Sequence, residues 1–333
     1  MKRYTHTDLP LKVFGVPFFD EKKTFQRLPL ELCSKLSMPD FLGLRCPGAR
    51  IGFRSNASEF AVKVTLKTLS LDVGMSLYSC QAIHVMVGER SNSYLAGHMF
   101  PSDYQTKSFE MTFHKRPVME DVTLWLLRNE VIESIEVFFP ENATVEPPTP
   151  YQYGKALFYG SSITEGGSAS SVQINYPALL SRWLDLDFYN FGFSASAKGE
   201  LEMADYINTI DMNLFVLDYD HNSPSPEHLC HTHEQFFLRI RDKHPNLPIL
   251  ILSRPNFNFY DVDDSEERRS IIENTYRNAI ARGDKHVYYI DGESLFGAED
   301  RQLCTIDRTH PNDLGFYRIA KRILPVMKTM LKV

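Results

Sequence analysis

Two short strings carry residues whose types and spacing could do chemistry. In FYGSSITEGG, which starts at Phe158, an apolar run ends in a glycine followed by Ser161 and Ser162. In DRTHPN, Asp307 and His310 stand three apart, just ahead of a helical pattern. A serine hydroxyl is a poor nucleophile until a base takes its proton. Histidine suits that task, because its unperturbed pKa is about 6.5. A carboxylate beside it would fix the imidazole tautomer and stabilise the charged ring. One helical turn would bring Asp307 and His310 to the same side, with Pro311 at the first position of the following helix. Such chemistry also needs donors for an oxyanion, each worth about 3–4 kcal/mol of barrier. Candidates are the backbone N–H of Ser162, the backbone N–H near Ala195 in NFGFSA, and the side-chain amide of Asn222 in LDYDHN. Each has a bland alternative. Ser162 could be a mere turn residue or yield the nucleophile's role to Ser161, Asn222 could be a turn former, Asp307 a charge at a helix start and His310 a structural histidine.

The elements that must position these residues show two textures. Before residue 150, segments such as Phe60–Lys67, His84–Val87, Ser108–Phe113, Asp121–Leu126 and Ile132–Phe139 alternate apolar with polar residues. That pattern predicts short, half-buried strands of a β-sandwich or jelly roll. Residues 140–152, PENATVEPPTPYQ, hold four prolines and no periodicity, and read as an extended linker. After residue 153 the pattern predicts strands at Ala156–Tyr159, Phe188–Phe191, Leu214–Leu217, Ile249–Leu252 and Val287–Ile290. Helices are predicted over roughly 176–184, 199–208, 226–243, 265–282 and 311–328. Continuous apolar strands alternating with helices imply a parallel sheet covered on both faces. In such sheets ligands gather beyond the carboxyl ends of the strands, and every candidate above follows a strand end.

The whole-chain totals narrow the classes. A length of 333 residues suggests two domains. A formal net charge of -6 gives no electrostatic case for nucleic acid or an anionic membrane. No run of about 18 apolar residues predicts a membrane span, and the first residues lack the apolar region of a secretory signal. The five cysteines are odd in number and scattered, so reduced thiols and a cytoplasmic location are expected. His228, His231 and His233 lack a matching carboxylate, and no metal is expected. Arg254, after the fourth apolar strand, could face a pocket and bind a substrate carboxylate or hydroxyl, or form a plain ion pair. Gly192 is either tight-turn geometry or part of a substrate-binding edge. The aromatic string around Phe257, Phe259 and Tyr260 suggests a sugar-stacking rim or ordinary packing.

Taken in order, these strings resemble the SGNH (GDSL-type) hydrolase family, whose four blocks supply Ser, Gly, Asn and a DxxH pair. The likeness spans roughly residues 154–330. GSSIT resembles the GDSxT block, which implies Ser162 as nucleophile and puts Ser161 where the family has Asp. DRTHPN resembles the last block, implying Asp307 and His310. Ser162, Ala195 and Asn222 would form the oxyanion hole. Ala195 replaces the usual Gly. Its N–H is retained, but its methyl could narrow the pocket or, at positive φ, add strain. Asp220 and His221 precede Asn222 and Ser223 follows it, where the family usually reads Gly-x-Asn-Asp. The resemblance implies a flavodoxin-like three-layer α/β/α hydrolase domain over 153–333, preceded by an all-β, jelly-roll-like sandwich over 1–145. Members built this way resemble bacterial carbohydrate deacetylases. The implied function is a serine esterase that removes a small acyl group, such as acetyl, from a small-molecule or glycan ester without a cofactor. A catalytically inactive carbohydrate-binding or structural protein on the same scaffold is the alternative. A homo-oligomer stays open.

Overall fold

The structure is a computed structural model that describes residues 1–255 and 264–333. Phe257, Phe259 and Tyr260 lie outside the described residues. The apolar runs of the second half form a five-stranded parallel sheet. Its strands are Lys155–Gly160, Asp187–Gly192, Leu214–Asp218, Ile249–Leu252 and Val287–Ile290. The second strand pairs outside the first, and the third, fourth and fifth follow on its other side. That 2-1-3-4-5 order is the flavodoxin-like one, with its switch point beside the first strand.

Alternate side chains of these strands feed two separate cores, which is why the runs are apolar throughout. Leu157, Tyr159, Phe215, Leu217, Ile249 and Ile251 face helices Leu201–Ile207, Pro226–Lys243 and Ser265–Ala281. Ala156, Phe158, Phe188, Val216, Leu250 and Leu252 face helices Tyr176–Leu184 and Asp313–Leu331. Asn175 and Ser225 cap two of these helices, their side chains accepting from Ala178 and His228 N–H.

The first half is β-rich. Strands Lys2–Thr5, Ile132–Phe139, Glu59–Leu66 and Ser108–His114 form one antiparallel sheet. Strands Arg50–Ser55, Glu120–Trp125, Ile83–Val87 and Tyr94–Met99 form the other, with Lys12–Phe14 and Val145–Glu146 added along Arg50–Ser55. The sheets share one core, in which Phe53 meets Phe60 and Phe139 edge-on at 5.5 and 5.2 Å. The stretch expected to be a plain linker contains a paired strand, because Val145 and Glu146 align antiparallel with Ser55 and Arg54. Thr149 is tied down as well, its N–H and hydroxyl donating to Asp121 at 2.8 and 2.7 Å.

The two halves are not independent in packing. Leu28, Cys33, Leu36, Met38 and Leu42, from a segment of short helices at Leu30–Lys35 and Asp40–Leu44, join one core of the parallel sheet. Met86 and Trp125 of the sandwich join the other. A cleft of about 980 Å³, lined by Arg54, Arg90, Asp121, Thr149, Trp183 and Lys328 among others, contains none of the candidate site residues. Among the described residues no helix is long and apolar enough to cross a membrane.

Candidate active site

The first strand ends at Gly160 because nothing larger fits. A Cβ there would lie 2.1 Å from Thr164 Oγ1 and 2.4 Å from the Asp218 carbonyl oxygen. The chain can therefore turn at once into the short helix Ser162–Glu165. The two serines part company at this turn. Ser161 is fully buried and caps the helix, its Oγ accepting from Ile163 N–H at 3.2 Å. Ser162 points the other way, with Oγ 2.8 Å from His310 Nε2.

His310 and Asp307 are linked through both ring and backbone. His310 Nδ1 lies 2.6 Å from Asp307 Oδ2, while the His310 and Thr309 backbone N–H groups donate to Asp307 Oδ1 at 2.7 and 3.0 Å. Burial alone would push the Asp307 carboxyl up. The His310 and Thr309 bonds outweigh it, so the group lies below its ordinary pKa and stays ionised. The pair is presented by a turn and not, as the spacing suggested, by a helix start. Pro311 bridges Thr305 instead of opening the helix, which begins at Asp313 with the Asn312 side chain capping Gly315 N–H. The reason is local: Asp307 Oδ1 satisfies the N–H groups two and three residues on, as in an Asx turn.

The strand ends bring three donor groups to the same edge of the sheet. Ser162 is the first helical residue, so its N–H has no acceptor within the helix. Ala195 has φ 56°, the left-handed region, where the side chain brings a steric cost. The conditional cost noted for an alanine at this position therefore applies. Asn222 closes a 3-10 turn after the third strand, and its Nδ2 donates to the Phe193 carbonyl at 2.7 Å, leaving its other amide hydrogen for a ligand.

The other expected residues have partners of their own. Gly192 is buried in the second strand, where a Cβ would lie 2.1 Å from Glu165 N, so its smallness serves packing. The Arg254 guanidinium bonds Asp264 Oδ1 at 2.7 Å and Ser265 Oγ at 2.8 Å, the ion-pair arrangement. His228 and His231 engage the carbonyls of Lys198 and Glu227, and His233 engages Thr275 Oγ1. Among the described residues no group of three His, Cys, Asp or Glu side chains is arranged to hold a metal.

Residues outside the candidate set are also linked to Ser162 and His310. Asp218, at the end of the third strand, accepts from Tyr176 OH and Thr164 Oγ1 at 2.8 and 2.9 Å. Burial pushes it up to about 7, against those two bonds and with help from Asp220. His221 is held down to about 3 by burial, with Arg254 and His310 adding to the effect. It is therefore neutral. Arg128 of the sandwich donates to the Gly167 carbonyl at 3.1 Å, and Gly167 N–H donates to the Ser162 carbonyl at 2.8 Å. Asp218 and His221 stand within the LDYDHN string, whereas nothing in the sequence signals Arg128, whose partner Gly167 lies 39 residues on.

A profile of the GDSL-like lipase/acylhydrolase family matches residues 154–328. The chain belongs to the GDSL-like lipase/acylhydrolase family. That membership makes it a carboxylic-ester hydrolase. A comparison with curated proteins gives no significant match. Solved structures resemble it over nearly its whole length. A GDSL-like lipase from Bacteroides ovatus is 24% identical with TM-score 0.85, covering 99% of this chain and 98% of its own. The salicylyl-acyltransferase of a tetracycline biosynthetic pathway is 20% identical with TM-score 0.80, at 99% and 98% coverage. An acetyl xylan esterase from the rumen bacterium Butyrivibrio proteoclasticus is 11% identical with TM-score 0.64, also at 99% and 98%. These likenesses show that this acylhydrolase shares their two-part architecture.

Proposed function

We propose that this acylhydrolase is a serine esterase that cleaves a small acyl ester, acetyl in the first instance, from a carbohydrate. Ser162 attacks the ester carbonyl while His310 takes its proton, and Asp307 holds the ring and stabilises its charged form. The tetrahedral oxyanion sits among the N–H groups of Ser162 and Ala195 and the free amide hydrogen of Asn222. His310 returns the proton to the departing alcohol. Water then attacks the acyl-enzyme with His310 again as base, releasing the acid and restoring Ser162. The observation that carries this reading is the unbroken run of hydrogen bonds, 2.8 Å from Ser162 to His310 and 2.6 Å from His310 to Asp307. The carbohydrate half rests on the acetyl xylan esterase of like architecture. Five unpaired cysteines, four of them buried, suit a reducing, cytoplasmic setting.

The test is hydrolysis of p-nitrophenyl acetate and a panel of acetylated sugars by the parent and Ser162→Ala. Turnover by the parent and its loss in the variant support the reading. Equal turnover refutes the nucleophile assignment. A parent inert towards every ester would favour a glycan-binding protein on an inactive scaffold.

A further inference from the structure

Glu165 ends the short helix that Ser162 opens, and the mechanism above gives it no task. It is only 1% exposed. Its Oε2 accepts from the backbone N–H of Ser194 at 2.9 Å and from the Ser194 hydroxyl. A carboxylate at that depth is costly unless charge and donors compensate it. The Ser194 donors supply part of the compensation and the field of the Arg27 guanidinium another part. Arg27 is itself fully buried, lies 4.4 Å over the Phe193 ring, and donates to the Asn190 and Gly192 carbonyls at 2.8 and 2.7 Å. Gly192 permits the close approach, as its lack of a Cβ leaves room for the Glu165 backbone. From the other side Asn222 holds the Phe193 carbonyl.

All these contacts converge on the turn Phe193–Ala195, whose last residue adopts the left-handed conformation at φ 56°. An alanine there is disfavoured, because its Cβ crowds the following carbonyl oxygen. Such a conformation persists only where surroundings over-determine it. The clamp on Ser194 acts immediately before Ala195.

We propose that Glu165 is a positioning residue for the oxyanion hole: by gripping Ser194 it holds Ala195 left-handed, so that the Ala195 and Ser162 N–H groups face one point. The helix bearing the nucleophile and the turn bearing the second donor then move as one body. This inference rests on the triad and oxyanion reading above.

The experiment measures kcat and KM on p-nitrophenyl acetate for the parent, Ser162→Ala, Glu165→Gln, Ser194→Ala, Ala195→Gly and the double variant Glu165→Gln/Ala195→Gly. Melting temperature serves as the control for folding. Glu165→Gln is expected to lose kcat on the order of 100-fold with little change in KM, as for one misplaced oxyanion donor. Ser194→Ala, which keeps the backbone bond, is the milder disruption, expected to lose about tenfold by the same reasoning. Glycine adopts the left-handed region without strain. Ala195→Gly should therefore restore most of the kcat lost in the double variant. Parent-like kcat in both Glu165→Gln and Ser194→Ala would overturn the proposal. So would a loss of kcat that Ala195→Gly leaves untouched, because a merely structural carboxylate would not be rescued at that position. If Ser162→Ala turns over like the parent, the triad reading fails instead.

Discussion

Asp218 Oδ2 accepts a hydrogen bond from Thr164 Oγ1 at 2.9 Å, two residues beyond Ser162, and another from Tyr176 OH at 2.8 Å. Its pKa is pushed up to about 7 by burial, from an ordinary value of 3.8. A raised folded-state pKa means the native state binds a proton that the unfolded chain has already released. Stability from this group is complete below about pH 4 and is lost as pH rises through about 7. Replacing Asp218 by Asn mimics the protonated side chain and should remove that loss. Urea unfolding between pH 4 and pH 8 should show a shallower fall in stability for Asp218→Asn, by a few kcal/mol at about 1.4 kcal/mol per pKa unit. Identical slopes would show that the carboxyl titrates normally.

Asn222 donates one amide hydrogen to the Phe193 carbonyl, and the proposed mechanism gives the other to the oxyanion. Asn222→Ala should lower kcat about 100- to 1,000-fold, the usual cost of one such donor. KM should change little, since the donor acts on charge that develops only in the transition state. A rise in KM at constant kcat would place Asn222 in ground-state binding.

His310 Nδ1 lies 2.6 Å from Asp307 Oδ2, and in the proposed mechanism Asp307 orients the ring. Asp307→Asn retains the shape but favours the wrong tautomer, with an expected loss of kcat on the order of 10,000-fold. Labelling of Ser162 by a fluorophosphonate should slow in parallel. A fall in turnover without slower labelling would contradict this role.

Arg27 is a buried cation bonded to four backbone carbonyls, those of Leu42, Arg45, Asn190 and Gly192. Burial lowers its pKa to about 10, which leaves it charged at neutral pH. Arg27→Met would orphan those carbonyls and leave Glu165 without its cation. A destabilisation of about 3–5 kcal/mol is expected in chemical denaturation. A loss below about 1 kcal/mol, the range of an exposed pair, would show that the site relaxes freely.

The parallel sheet was legible in the sequence because its strands are buried on both faces. Ile249–Leu252 and Val287–Ile290 stand where the apolar runs stand, and helix Pro226–Lys243 coincides with its pattern. The short helices Leu30–Lys35 and Asp40–Leu44 were not legible. They span fewer than two turns, and neither N-terminus has a side-chain cap to announce it. Strand Arg50–Ser55 was not singled out: its alternation is short and interrupted by Gly52, and Arg50, polar by type, is buried against Asp187. At the site, the residue types and order of Ser162, Asn222, Asp307 and His310 were readable. Glu165 was not, because its meaning lies in Ser194, on a different strand end 29 residues away. The pocket-facing alternative for Arg254 was undecidable from its position alone. Its partners, Asp264 and Ser265, stand ten and eleven residues further on, and nothing in the sequence ties them to it.

The most direct measurement is the site and stoichiometry of covalent trapping. The native protein is treated with a fluorophosphonate, weighed intact and mapped by peptide mass spectrometry, with acetylation by p-nitrophenyl acetate followed in a rapid-quench series. One adduct per chain on Ser162, appearing in step with loss of activity and absent from Ser162→Ala, is the predicted result. An adduct on Ser161 or another residue, or full activity in a chain whose Ser162 is blocked, would contradict it.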